Sequence, residues 1–531
     1  MLPLPAGSSE MLALAARRCP VAALSLALSI YACSWTPPSD PETFTVLLEF
    51  PPDTLDPRFA LSAYSMKACR LVYSSLTTIG DDLKPRPDLA ESITMANAAT
   101  WEVKLKTGVR FHDGSPLEAA DVKYTYDSIR DPALGSPYLG FYSRIRTIAT
   151  PDPKTVVFRL DGPHAPFPGE LIMGIVPRSA ATLPKDSLAR RPVGSGPFAF
   201  SSWETDEILV LSRNDDFFGP RPKVKTLTLK TLRDDNTRLL SLVSGDADMF
   251  QNAAPPLLAA ALSGDKRVRV LHAESILYTY MGINLENPVL ANVRVRRAIA
   301  HAIDREAIIK HKFSGMARPA TGMLAPSHWM YEGDVARYGY DPAKAKRLLD
   351  EAGLPDPDGD GPAHRFAVTY RTSTNKFRVG VAKVIAAQLE AVGIGVSLRA
   401  YEFGTLFHDI KTGNFDLFTL QWTEPFEPDS YRMIFHSQNV PGAGPDSTGA
   451  NRGRYRNPAL DALLDEGRRE LLEEKRKAIY SKVQKVLAQD LPYISLWHED
   501  NIAVMGRNVE GFKIRPNAGF EGLAEVRKAG R

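Results

Sequence analysis

Cysteine is scarce in this chain. Only Cys19, Cys33 and Cys69 occur among 531 residues, too few for a disulfide framework, so a hydrophobic core has to carry the fold. Long apolar runs are lacking too. Beyond residues 21–32 nothing approaches the ~20 apolar residues of a membrane span, and the body is expected to be soluble. No charge dominates: 65 Lys and Arg stand against 62 Asp and Glu, for a formal net charge of +3. That balance gives no electrostatic reason to expect a nucleic-acid partner. Catalytic signatures are also missing, with no HExxH, no Gly-x-Ser-x-Gly elbow, no GxGxxG and no phosphate loop. The ten histidines are scattered, and His498-Glu499 lacks the second histidine that a zinc helix would need. His112-Asp113 is no dyad, because neighbours in a strand point to opposite faces. The expectation is a protein without catalysis, resident metal or cofactor.

What is present begins at the N-terminus. Arg17-Arg18 precede the apolar residues 21–32, and Ala32 precedes Cys33. A basic flank and an apolar stretch too short to span a bilayer describe an export signal. Ile30-Tyr31-Ala32-Cys33 resembles the lipobox of bacterial lipoproteins, which implies a lipid on Cys33 and a protein held by that anchor in the periplasm or cell envelope. With Cys19 removed and Cys33 modified, only Cys69 stays free. Residues 34–42, with Pro37, Pro38 and Pro41, read as an extended tether.

The remaining sequence, in a chain that is 44% apolar, is ample for two or three domains. Strands are predicted at 44–50, 101–106 and 225–232, the second by strict alternation. Asp113-Gly114 marks a turn. Ser115-Pro116-Leu117-Glu118 has capping-box spacing, for a helix beginning there or a turn later and running toward Ile129. Past Asn292 the period becomes helical: Val295, Ala298, Ile299, Ala302 and Ile303 recur at three and four residues, and Asp304 caps a second helix. Asp341-Pro342 opens another that stops at Gly353. Helices are also expected at 383–392, 457–472 and 473–487, with strands between them at 366–370, 396–401 and 415–422. The first half reads as mixed and strand-rich, the second as α/β.

Two segments invite a ligand. Asp356, Asp358 and Asp360 with Gly361 imitate the start of an EF-hand loop, but its twelfth position is Ala367 where a glutamate is needed, so a polar connection is the better reading. Residues 421–431 follow a strand and carry Trp422, Phe426 and Tyr431 with Glu424, Glu427 and Asp429, stiffened by Pro425 and Pro428. Acids beside aromatics suit a cationic group such as a peptide amine, and a surface loop with solvated acids is the competing reading.

Taken in order, further segments carry a resemblance. Pro87-Asp88-Leu89-Ala90-Glu91-Ser92, Trp101 through Leu117 with Ala120-Asp121-Val122, Pro192-Val193-Gly194-Ser195-Gly196-Pro197-Phe198, Ser244-Gly245-Asp246-Ala247-Asp248, Val293 through Arg305 and Tyr455 through Asp461 follow one another as in a known family. The chain resembles the extracellular solute-binding proteins of peptide and nickel ABC transporters, family 5, which include the oligopeptide- and dipeptide-binding proteins. The resemblance implies an α/β, two-lobed periplasmic-binding-protein fold of type II, cluster C, with an extra third domain and a hinged cleft. Implied boundaries are a signal at 1–32, a tether at 33–42, the first lobe at 43–70, 193–280 and 498–531, the extra domain at 71–192 and the other lobe at 281–497. Gly194-Ser195-Gly196 would be a crossing between domains, its glycines permitting the torsions of a hinge.

The implied ligand is a di- or oligopeptide lying extended between the lobes, its amino terminus gripped by an acid shortly after Trp422, at Glu424 or Glu427, with Thr423 and Asp429 alongside. Tyr64, Asn284 and Arg371 sit in stretches that border the cleft in relatives. For Arg452 and Arg454, just after a Gly/Pro-rich loop, a solvated face is the better reading and a contact with a ligand carboxylate the competing one. A same-fold binder of glutathione, haem, a metal chelate or a sugar is the alternative. The implied partners are that solute and the permease subunits of an ABC importer, with the membrane touched through the lipid only and the protein acting as a monomer.

Overall fold

Phe44, Val46 and Leu48 alternate along the strand Thr43–Leu48, and Leu47 between them is buried as well, so both faces of the strand need cover. Its neighbours on both sides, Thr226–Thr231 and Met249–Gln251, run parallel to it, as expected for a strand in the middle of a doubly covered sheet. A computed structural model describes residues 41–184, 186–359, 361–444 and 447–529. The expected signal, Cys33, nearly all of the tether, and Asp360 lie outside the described residues.

The strand Thr43–Leu48 is central in a seven-stranded sheet ordered Val268–Ala273, Asn501–Gly506, Met249–Gln251, Thr43–Leu48, Thr226–Thr231, Ile208–Arg213, Phe198–Glu204. Phe44, Val46 and Leu48 pack with Ala68, Leu71 and Val72 of the helix Ala63–Val72 on one face. Leu47 packs with Leu242, Phe250 and Val504 on the other. This sheet forms the first lobe.

A six-stranded sheet builds the second lobe in the order Ala317–Pro319, Tyr493–Glu499, Tyr278–Ile283, Leu417–Trp422, Phe366–Ser373, Ile394–Tyr401. Every residue of Tyr278–Ile283 is buried. Met281 and Ile283 meet Val295 and Ile299 of the helix Val293–Ala302 on one side, and Tyr278 and Tyr280 meet Tyr480 and Val483 of the helix Glu473–Asp490 on the other. Asp304 caps its helix by accepting a hydrogen bond from the Ala307 N–H at 2.9 Å. The helix predicted at 383–392 runs instead over Lys376–Glu390, because Asn375 caps it about two turns earlier.

A third, four-stranded antiparallel sheet is ordered Ala90–Asn97, Thr100–Leu105, Thr155–Leu160, Ile145–Asp152 and is covered by the helix Ala119–Arg130. The capping box predicted at Ser115 and Glu118 is displaced by one turn. Glu118 caps the helix with Asp121 as its reciprocal partner, while Ser115 turns back to Asp113.

The chain passes between the two large sheets twice, from Ala273 to Tyr278 and from Glu499 to Asn501, and these crossings lie side by side. Ala273 pairs with Asn501 on one side of them and Tyr278 with His498 on the other. The Ser275 hydroxyl donates to the Glu499 carbonyl, and the Glu499 N–H donates to the Leu277 carbonyl at 3.2 Å. Gly194-Ser195-Gly196 lies elsewhere, where the third domain returns to the seven-stranded sheet two residues before Phe198.

Neither glycine of that segment has a positive φ, which corrects the torsional reason given for them. Close approach is the actual cause. A Cβ on Gly194 would sit 2.0 Å from the Val72 carbonyl oxygen, and one on Gly196 2.6 Å from that of Leu71. The Gly196 N–H donates to Val72 O at 2.8 Å, and Ser74 Oγ donates to Ser195 O at 3.1 Å.

Candidate functional site

The helix Ala63–Val72 starts where Ser62 Oγ accepts the Ser65 N–H at 3.2 Å. Helical spacing then sorts its side chains onto two faces. Ala63, Tyr64 and Lys67 face one cavity, whereas Met66, Cys69, Arg70 and Tyr73 face another. Opposite them, the strand Leu417–Trp422 runs antiparallel to Tyr278–Ile283 with Trp422 paired to Tyr278, the first strand residue after a crossing. Register therefore delivers residues 423–426 to the space between the lobes.

There Glu424 meets Arg70 from the first lobe. Arg70 donates Nη1 to Oε1 at 3.0 Å and Nη2 to Oε2 at 2.7 Å, a two-pronged pair between residues far apart in sequence. Burial pushes the Glu424 carboxyl up, but the Arg70 charge and its hydrogen bonds, with Lys67 behind them, outweigh it and hold the group below its ordinary value. Burial likewise opposes the charge on Arg70, and Glu424 more than restores it.

The pair stands between two cavities that share Thr423 and Glu424. One, of about 310 Å³, is mainly apolar and aromatic, walled by Met66, Tyr138, Phe141, Met173, Trp422 and Phe426 from all three sheets' domains. The other, of about 270 Å³, lies at the crossings and is rich in charge, with Tyr64, Lys67, Arg378, Glu499 and Asp500 in its wall. Such a constellation can hold a small solute by one apolar and one polar end, gripped from both lobes.

Comparison with known proteins agrees with this geometry. Residues 84–442 match the family described as bacterial extracellular solute-binding proteins, family 5 Middle. The chain belongs to that family. The oligopeptide-binding protein AppA of Bacillus subtilis is 30% identical over 474 residues, covering 84% of each chain. The glutathione-binding protein GsiB of Escherichia coli K12 is 29% identical over 480 residues, covering 88% of this chain and 91% of GsiB. The structure of Bacillus subtilis AppA in complex with a nonapeptide superposes with a TM-score of 0.79 at 27% identity, covering 93% of this chain and all of AppA. The protein is thus a solute-binding protein of the ABC-transporter kind with the multidomain fold of that family. Its matched relatives carry the names of binding proteins, not of enzymes.

Within this solute-binding protein the residues singled out from sequence separate. Trp422, Thr423 and Glu424 line the cleft cavities, and Tyr64 lines the polar one. Burial pushes the Tyr64 phenol up to about 12. The free acid expected for an amine is not free, since Glu424 is engaged by Arg70. Glu427 and Asp429 do not line either cleft cavity. Glu427 accepts from Arg476, and Asp429 lies 3.4 Å from Arg468, which fastens the loop to the second lobe beside the third domain. Asp429 is so enclosed that burial, against the pull of Arg468, raises its carboxyl to about 6.

Asn284 and Arg371 do not border the cleft. Both line a separate hollow made by the second lobe alone, where the Asn284 amide donates to the carbonyls of Gly413 and Phe415 and Arg371 pairs with Asp409. Arg452 is held between the rings of Phe407 and Trp422, 4.9 Å and 4.6 Å from their centroids, and so braces the tryptophan from behind. Arg454 pairs with Glu286 at 3.1 Å and donates to the carbonyls of Arg452 and Lys411.

In the loop that imitates an EF-hand, Asp356 faces Arg365 and Asp358 accepts the Ala363 N–H. Among the described residues no group of three His, Cys, Asp or Glu side chains is arranged to hold a metal, and no helix is long and apolar enough to cross a membrane.

Sequence reasoning missed the helix Ala63–Val72. Its one legible signal is that Lys67 and Arg70 stand in an otherwise uncharged stretch with no acid within four residues to pair with, so their partners had to be distant.

Proposed function

We propose that this protein captures peptides, or closely related small solutes, in the cleft between its lobes and hands them unaltered to the permease of an ABC importer, while a lipid on Cys33 tethers it to the membrane. The reading rests on one observation: the two adjoining cavities take their walls from the first lobe, the second lobe and the third domain together. A ligand that touches both lobes favours the closed arrangement by its differential affinity for it, which is what a capture device requires. In this reading Trp422, Thr423 and Glu424 form the second lobe's share of the site and Tyr64 part of the first lobe's. The likeness to AppA favours a peptide. The likeness to GsiB favours a second reading, glutathione, which is itself a small peptide.

Native mass spectrometry of the full-length protein released from its own envelope tests the proposal. The expected result is a lipid-modified N-terminal Cys33 and a co-purified peptide. Melting curves with a peptide library supply the affinity side: a peptide at ~100 times its dissociation constant adds about 2.7 kcal/mol of stability. A library that moves nothing, with a sugar or haem raising the melting temperature, rejects the peptide. An unmodified Cys33 rejects the anchor.

A further inference from the structure

Lys67 stands apart from the other cations of the cleft, Arg70 and Arg378, which bond Glu424 and Gln421. It is 8% exposed, it lines the polar cavity, and its ammonium has no hydrogen-bond or ion-pair partner among the described residues. What it has instead is the ring of Phe520, 4.9 Å from its nitrogen to the centroid, and that of Tyr64 at 5.8 Å. An ammonium taken out of water without an oxygen to bond is costly.

Most of the acids around it are committed elsewhere. The two whose carboxylates form no hydrogen bond or ion pair among the described residues, Glu49 and Glu521, do not come within ion-pair distance of its ammonium. Glu424 is taken by both prongs of Arg70. Asp500 is shared by Arg318 and His272, Asp235 pairs with Arg238, and Glu499 accepts from Thr279, Gln421 and Trp497. One helix thus presents two cations less than a turn apart, Arg70 neutralised across the cleft and Lys67 not.

We infer that Lys67 is an anion subsite of the cleft, which takes a carboxylate of a solute whose apolar part lies in the adjoining cavity against Trp422 and Phe426. The inference rests on the proposed cleft site and deepens it by reversing the expected polarity. The acid after the tryptophan is already satisfied by Arg70, and the uncompensated charge on the facing helix is positive. The three donors of an ammonium let it bond a carboxylate oxygen and keep its ring contacts.

The test uses 5-phenylpentanoate and its neutral analogue 5-phenylpentanamide, neither of which is a peptide, titrated calorimetrically into the full chain. Wild type is expected to prefer the acid by at least about tenfold, the lower end for a charge-assisted hydrogen bond. Lys67→Gln is expected to bring the ratio to about one, and Lys67→Arg to preserve it, with melting curves confirming that both variants fold. Equal binding of acid and amide by wild type, no binding of the acid, or a preference that survives in Lys67→Gln overturns the inference, and the wild-type comparison needs no variant. A peptide library that fails while the acid preference holds rejects the peptide reading alone. Peptides that bind while the acid shows no preference reject only the anion subsite.

Discussion

At the scale of single residues, Lys67 makes pH a probe of the cleft. Burial is the main reason its ammonium titrates at about 8 instead of 10.5; Glu424 and Glu521 favour the charged form, and Arg70 opposes it. Glu49, Asp235, Glu499, Asp500 and Arg378 also stand in the cavity wall. Because the folded value lies below the unfolded one, the unfolded chain holds more protons between about 8 and 10.5. The stability of the unliganded protein therefore rises across that window.

A bound carboxylate reverses this by favouring the ammonium, so binding above pH 8 takes up a proton. The affinity for 5-phenylpentanoate should be level between about pH 6 and 7, where the probe is fully ionised, and fall toward about tenfold per unit above pH 8 in wild type. In Lys67→Arg it should stay level. Calorimetry in two buffers of different ionisation enthalpy reads the proton uptake directly, and zero uptake at pH 8.5 contradicts the assignment. Trp422 and Glu424 were legible as candidates because an acid beside an aromatic is a local pattern. Arg70 as the partner of Glu424 was not, since 354 residues separate them and only the fold brings them together.

At the scale of elements, caps and periodicity carried most of the reading. Asp304, Asp341-Pro342 and Asn457-Pro458 open their helices as their chemistry requires, each side chain accepting backbone N–H groups of the first turn. The helix Ala63–Val72 escaped notice because it is covered on several sides: Ser65, Lys67, Ala68, Cys69, Leu71 and Val72 are all buried, and no clean apolar stripe remains to be seen.

Its C-terminal end rests on Gly194 and Gly196, which gives a second prediction. Gly194→Ala forces a methyl group against the Val72 carbonyl and should destabilise the protein by about 1–3 kcal/mol, as overpacking does. Gly404→Ala is the control. It stands in the helix Phe403–Thr412 with nothing within 4 Å of a new Cβ and should cost nothing or add about 0.5–1 kcal/mol. Chemical denaturation of both variants checks this. Equal stability of the two would mean that the close approach at Gly194 is relieved without cost.

At the scale of the whole molecule, Arg70 and Glu424 join the lobes across the cleft, and Lys84 with Glu473 adds a more exposed tie at 2.6 Å. Removing one member of a buried ion pair leaves its partner uncompensated, at a cost of up to about 3–5 kcal/mol. The Arg70 and Glu424 side chains are 22% and 16% exposed, so that range is an upper bound here. The whole cost falls on the closed arrangement, because the open one returns both charges to water. Arg70→Met should therefore enlarge the radius of gyration in solution scattering of the unliganded protein, while Lys84→Met should change it much less. Identical scattering from wild type and Arg70→Met would show that the pair does not hold the lobes together.

The amino-acid sequence by itself determined the class of fold, most of the helices and strands, and the family, because these follow from periodicity, caps and motifs read over short stretches. It also determined that a few aromatic and acidic residues after one strand were worth attention. Only the tertiary structure decided which of those acids reach the cleft, which are spent on arginines of their own lobe, and that a lysine and an arginine on an unnoticed helix face them. The physical reason is that charge compensation is a property of neighbours in space. A carboxylate and a guanidinium separated by hundreds of residues neutralise each other or not according to sheet register and lobe packing, and no local pattern records the outcome.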